Sequence, residues 1–184
     1  MALTESNSTE KGTQAPDFHL IDTLSNKFIS LADVKGDKAT VVMFICNHCP
    51  YVLHVNEALV KLASDYNTKG VGFVAISSND VVNYPQDAPE KMKINAEKLG
   101  YPFPYLYDET QEIAKAYKAA CTPDLYVFDK KLSEVYHGQL DDSRPSNGIP
   151  VTGKDIRAVL NSLLEDTTIP PVQKPSIGCN IKWK

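Results

Sequence analysis

A chain of 184 residues has the length of one ordinary domain. It can bury roughly 70% of the surface of its extended form, so its stability needs no staple. The formal net charge of −4, with arginine only at positions 144 and 157, excludes the clustered basic surface that nucleic acid requires. No stretch carries a membrane-binding stripe. The opening residues MALTESNSTEKGTQ contain no apolar run of roughly seven residues, as a secretory leader would. A cytoplasmic location is therefore expected, and there the four cysteines point to catalysis or metal binding rather than to structural bridges.

In chain order, residues 1–12 are small and polar and read as a disordered N-terminus. Residues 17–21 and 27–31 alternate in polarity around a turn-like stretch and predict a β-hairpin. After a connection containing Gly36, the apolar run 41–45 predicts a central strand buried on both faces. From Pro50 the apolar positions Val52, Val55, Leu59, Leu62 and Tyr66 recur three and four apart, a helix that stops near Gly70. Residues 71–77 form a second buried strand, and the strand–helix–strand order implies a right-handed crossover and a parallel pair. The fold class is therefore α/β.

Pro89 opens a further helix that ends at Gly100, and residues 103–107 form a short extended piece. Asp108 is placed to cap a helix over 109–118. Residues 125–128 and 133–139 pair as strands, and a solvated loop containing Asp141, Asp142 and Arg144 follows. Thr152 opens the last helix, with Asp155 in capping-box position. Residues 166–184, with Pro170, Pro171 and Pro175, read as an irregular tail along the surface. No internal repeat or domain boundary interrupts residues 13–165.

The chemistry concentrates at Cys46-Asn47-His48-Cys49-Pro50, where strand becomes helix. The first turn of a helix presents unpaired N–H groups and the positive end of the macrodipole, which favour a thiolate over a thiol. Pro50 suits the first helical position, where its missing donor costs nothing. The Cys-x-x-Cys spacing allows the two sulfurs to close into a small ring, so the dithiol can cycle between reduced and oxidised states. A protonated His48 would lower the pKa of a nearby thiol further.

A dithiol between a central strand and a helix, followed by Thr122-Pro123 ahead of a later hairpin, resembles the thioredoxin fold. Ala15-Pro16-Asp17-Phe18 and Leu31-Ala32-Asp33 make the chain similar to the redoxin branch of alkyl hydroperoxide reductase/thiol-specific antioxidant proteins, over roughly residues 12 to 165. The closing PSIGCNIKW, residues 175–183, resembles the tail of uncharacterised thioredoxin-like redoxins carrying the same CNHC dithiol. The resemblance implies a thioredoxin fold with an N-terminal β-hairpin extension and a central mixed sheet flanked by helices. It further implies Cys46 as the exposed nucleophile, Cys49 as the buried resolving thiol, Pro123 as a cis-proline beside them, and Thr122 and Pro123 as the edge that docks a substrate.

The chain also departs from these patterns. In peroxiredoxins the peroxide-reactive cysteine occupies the position of Cys49 with Thr or Ser at that of Cys46, and both an arginine near residues 121–125 and a proline at position 42 are missing here. The strand before the dithiol holds no acid to take the second thiol's proton, which leaves His48 or water. The expected activity is thiol–disulfide oxidoreduction, on a disulfide-containing protein or a small thiol or peroxide substrate, with an upstream thiol reductant. The alternatives are a thiol peroxidase, or a copper- or zinc-handling protein using Cys46, Cys49 and His48 or His54. Neither Cys121 nor Cys179 has a second Cys or His at zinc spacing, so no metal and no cofactor is assigned. His54 lies off the apolar stripe and reads as solvated. Cys121 and Cys179 are possible extra thiols, with a small core side chain the preferred reading for Cys121 and an unreactive tail cysteine for Cys179.

Overall fold

The computed structural model describes residues 3–170 and 173–184, so Pro171 of the expected tail lies outside the described residues. Its strands are β1 (Leu3–Glu5), β2 (His19–Asp22), β3 (Phe28–Ser30), β4 (Ala39–Phe44), β5 (Val71–Ser77), β6 (Tyr105–Tyr107), β7 (Cys121–Thr122), β8 (Asp124–Asp129), β9 (Glu134–Gly138) and β10 (Ile177–Asn180). Its helices are α1 (Leu31–Val34), α2 (Pro50–Tyr66), α3 (Pro89–Leu99), α4 (Glu112–Ala116) and α5 (Lys154–Leu164).

Strand β4 lies inside a seven-stranded sheet of order β3-β2-β6-β5-β4-β8-β9. It pairs parallel with β5 and antiparallel with β8, so the sheet is mixed, as expected. All six of its residues are buried, because both faces of the sheet are covered. Val41, Met43 and Ile45 point to the layer of α2, α3 and α5, against Leu59, Leu62, Met92, Val159 and Leu160. Val42 and Phe44 point to the opposite layer, against Leu31, Ala114, Tyr117 and Ile181. Helix α2 buries Val52, Val55, Leu59, Leu62 and Tyr66, the stripe read from the sequence. Among the described residues no helix is long and apolar enough to cross a membrane.

Both ends of the chain differ from expectation. Leu3–Glu5 is a strand, not disordered, and it pairs antiparallel with β10, which in turn pairs antiparallel with β7. The tail is therefore part of a small three-stranded sheet rather than an irregular surface segment. Its anchors continue beyond the strand. Ile181 is buried, the Lys182 carbonyl accepts from Asp80 N and Gln111 Nε2, and the Lys182 N–H donates to Asn79 Oδ1 at 2.8 Å. Short segments carry no local sign of such pairing, because their partners lie from 57 to more than 170 residues away.

Two helix starts also differ. Helix α4 begins only at Glu112, and Asp108 reaches it from a distance: its buried carboxylate accepts the N–H of Ala114 at 3.0 Å and the hydroxyl of Ser78 at 2.8 Å. Before α5, the N–H groups of Thr152 and Gly153 donate to Asp141 Oδ2, both at 2.6 Å, while Asp155 accepts from Gln139 Nε2. Asp141 is thus the buried centre of its loop and not a solvated charge. Asp142 lies nearer the surface, where Lys154 and Lys174 pair with it.

Candidate active site

Strand β4 delivers Cys46 two residues past its end, and Cys49 is the N-cap of α2 with Pro50 at the first helical position. The peptide bond between Thr122 and Pro123 is cis, and it brings β7 against both sulfurs. Cys46 Sγ lies 3.4 Å from Thr122 Oγ1, and Cys49 Sγ lies 3.2 Å from the Thr122 carbonyl oxygen. Cys46, Cys49 and Cys121 are not joined in a disulfide.

The two sulfurs perturb one another in opposite directions. Cys49 is held down to about 5, first by the hydrogen bond from Cys46, then by that from Cys179 and by the backbone amides of Val52 and Cys179, against the cost of burial. Cys46 is pushed well up, first by donating to the Cys49 thiolate, then by burial, then by the Asp87 carboxylate. The sulfur whose thiolate is favoured is thus the one at the helix terminus, where the dipole acts in the same sense. Expecting an exposed Cys46 was incorrect: it is 1% exposed, covered because the polypeptide folds over it.

His48 turns to Asp87, with Nδ1 2.6 Å from Oδ2. A carboxylate accepts only, so Nδ1 carries the proton. The imidazole stacks on Tyr84, and its Nε2 has no hydrogen-bond partner among the described residues. Asp87 is fully buried and also accepts the Asn47 N–H and Asn79 Nδ2, both at 2.8 Å. The charge acting on Cys46 is thus that of Asp87, an acid supplied by the loop after β5 and missed in the sequence. Nothing in the polar stretch 78–90 distinguishes it from its neighbours.

Cys46, His48 and Asp87 each offer a ligand atom within 4.8 Å of the others, the one such cluster of three among the described residues. The four-ligand closure of a structural zinc site is lacking in this cluster.

The remaining candidates separate. Cys121 is buried, its Sγ 3.6 Å from the Pro123 carbonyl, and burial pushes its thiol far up, as suits a small core side chain. Cys179 departs from the preferred reading of an unreactive tail residue. It stands opposite Thr122 in the β10–β7 pair, and its Sγ lies 2.7 Å from that of Cys49. The β7 edge expected to dock substrate is occupied by the chain's own β10. His54 is half-buried and bonds Ser143 Oγ at 2.7 Å, in a cleft shared with Tyr51, Pro123 and Arg144. The Arg144 guanidinium is taken up by the carbonyls of Asp141 and Ser143 and the side chain of Gln139.

A model of the AhpC/TSA family matches residues 11–135. The chain is 28% identical over 128 residues to the thiol-disulfide oxidoreductase ResA of Geobacillus kaustophilus, covering 70% of this chain and 68% of that protein. The crystal structure of an uncharacterized conserved protein from Geobacillus kaustophilus is 64% identical, with a TM-score of 0.99 over 100% of this chain and 97% of the other. The thioredoxin domain of a thiol-disulfide oxidoreductase from Bacteroides vulgatus is 21% identical, with a TM-score of 0.61 over 72% of this chain and 90% of that one, a likeness of fold.

Proposed function

The chain belongs to the AhpC/TSA family and is an oxidoreductase with a thioredoxin-like fold; on that premise we propose that it exchanges disulfides through Cys46 and Cys49. The observation that carries this reading is the placement of both sulfurs against Thr122, with Cys49 at a helix N-terminus beside a cis-proline. As Cys46 attacks a substrate disulfide, its proton passes to the Cys49 thiolate. A Cys46 mixed disulfide forms and the first substrate thiolate leaves. Cys49 then gives up that proton to the departing thiolate and attacks Cys46 Sγ, so that the Cys46–Cys49 disulfide forms and the second substrate thiolate leaves. An external thiol reductant returns the pair to the dithiol. His48 and Asp87 fix the backbone at Asn47 between the two cysteines and set the charge behind Cys46.

The test is turnover of insulin or oxidised glutathione. Cys46→Ser and Cys49→Ser are each expected to lower the rate at least a hundredfold, with Cys121→Ala unchanged. Undiminished turnover in Cys46→Ser refutes the reading.

One feature favours peroxidase chemistry as a second reading: the thiol whose pKa is lowered is Cys49, the position of the peroxide-reactive cysteine in the resembled pattern. Against it, Arg144 is engaged with carbonyl groups rather than with a thiolate. Fast single-site sulfenylation of Cys49 by stoichiometric peroxide in Cys46→Ser would select this second reading.

A further inference from the structure

The dithiol reading leaves the third sulfur without a task. Cys49 stands three residues from Cys46 in the dithiol, and its Sγ lies 2.7 Å from Cys179 Sγ. A disulfide measures about 2.05 Å, so about 0.7 Å of side-chain movement would join Cys49 to Cys179. The approach is built by the backbone. Strand β10 lies in antiparallel register with β7, Cys179 opposite Thr122 and Asn180 opposite Cys121. Gly178 makes that approach possible, since a Cβ there would stand 2.0 Å from the Thr122 carbonyl oxygen and 3.3 Å from Pro123 Cδ. Ser176, Ile181 and Lys182 hold the strand at both ends, through the Ser176 hydroxyl to the Gly138 carbonyl at 2.7 Å and the contacts of Lys182 to Asn79 and Asp80.

An extended segment paired to the edge beside a cis-proline, presenting a cysteine to the dithiol, is the arrangement a bound substrate would have. We propose that β10 is an internal substrate: Cys179 is a third redox thiol that exchanges with the Cys46–Cys49 disulfide to give a Cys49–Cys179 disulfide. This rests on the disulfide exchange proposed above. In the step, Cys179 Sγ attacks Cys49 Sγ, the Cys49–Cys179 bond forms, and the Cys46–Cys49 bond breaks. Cys46 leaves as thiolate and takes up the proton that Cys179 releases. No electrons enter or leave, so no further oxidant is needed. In the reduced chain the Cys179 thiol is pushed up to about 12, first by burial and then by the hydrogen bond to the Cys49 thiolate. The second cause vanishes once Cys49 is in a disulfide.

The consequence is a redox-dependent cover. Oxidised, the chain clamps its own strand covalently onto the docking edge. Reduced, it holds that strand by hydrogen bonds and packing, which an incoming disulfide segment can displace.

The full chain, equilibrated with oxidised glutathione, alkylated and digested with trypsin without reduction, reports the link directly. Cys46 and Cys49 fall in the peptide 39–61 and Cys179 in 158–182. The expected result is a cross-link between these peptides in at least half of the oxidised chain. It should approach completion in Cys46→Ser and in Cys46→Ala, and be lost in Cys49→Ser and Cys179→Ser. A disulfide confined to peptide 39–61, with glutathione on Cys49 in both Cys46 variants, overturns the inference. If the wild type reduces insulin through Cys46 but never forms the cross-link, the internal-substrate role fails and the proposed function survives. If the cross-link forms from oxidised glutathione in a single round but insulin is not turned over repeatedly with a thiol reductant, the proposed function fails and the third thiol stands.

Discussion

Replacing Gly178 by alanine tests whether the C-terminal strand is what covers the dithiol. The new Cβ would sit 2.0 Å from the Thr122 oxygen and 2.7 Å from its carbonyl carbon, and real Cβ contacts essentially never fall under 3.0 Å. The obstructing atoms are backbone, so no side-chain rotation relieves the clash, and β10 must retreat by the 1.0 Å difference or more. Overpacking of this kind costs about 1–3 kcal/mol. The loss falls on the strand, since the pairings Cys179–Thr122 and Asn180–Cys121 are the ones forced apart. At about 2 kcal/mol, and tenfold per 1.4 kcal/mol, the open population of the tail rises roughly thirtyfold. The assay is the rate at which a bulky alkylating reagent modifies Cys46 and Cys49 in the reduced protein at neutral pH, read beside hydrogen exchange over residues 177–182. The expected outcome is a ten- to thirtyfold faster modification, with faster exchange confined to that segment. Unchanged alkylation together with faster exchange in the segment would refute the idea that the strand gates the sulfurs.

Two further outcomes follow from the electrostatics of the pair. With Cys49 held at about 5, its thiolate is lost only as pH falls through that value, so alkylation of Cys49 should be level between roughly pH 6 and 8 and fall below roughly pH 5. A rate that instead climbs tenfold per unit through neutrality would mean an unperturbed thiol, and ultraviolet thiolate absorbance measured against Cys49→Ser checks the same point. Asp87→Asn removes the charge that helps push Cys46 up and weakens the bonds to Asn47, His48 and Asn79. It should lower the thermal midpoint by an amount equivalent to about 1–3 kcal/mol and bring the Cys46 pKa down in a Cys49→Ser background. An unmoved Cys46 would show that its proton is held by burial alone.

What local pattern encodes was legible from the residues themselves. The apolar run 41–45 could be satisfied only between two covered faces, and the spacing of Val52 to Tyr66 only by a helix with one buried stripe. Proline after Cys49 marks the first helical turn, so the dithiol's place at the strand-to-helix junction, and with it the expectation of a stabilised thiolate, came from the sequence. Periodicity states that a face is buried; it does not state which distant segment buries it. Asp87 meets His48 across 39 positions and Cys179 meets Cys49 across 130, and neither pairing leaves a trace in the spacing of nearby residues. Only the tertiary structure supplied the Asp87 carboxylate that raises the Cys46 pKa and the Cys179 thiol that lowers that of Cys49, both delivered from elsewhere in the chain. It also decided that the tail is a strand, since a segment of four residues becomes one only when an edge stands ready to receive it.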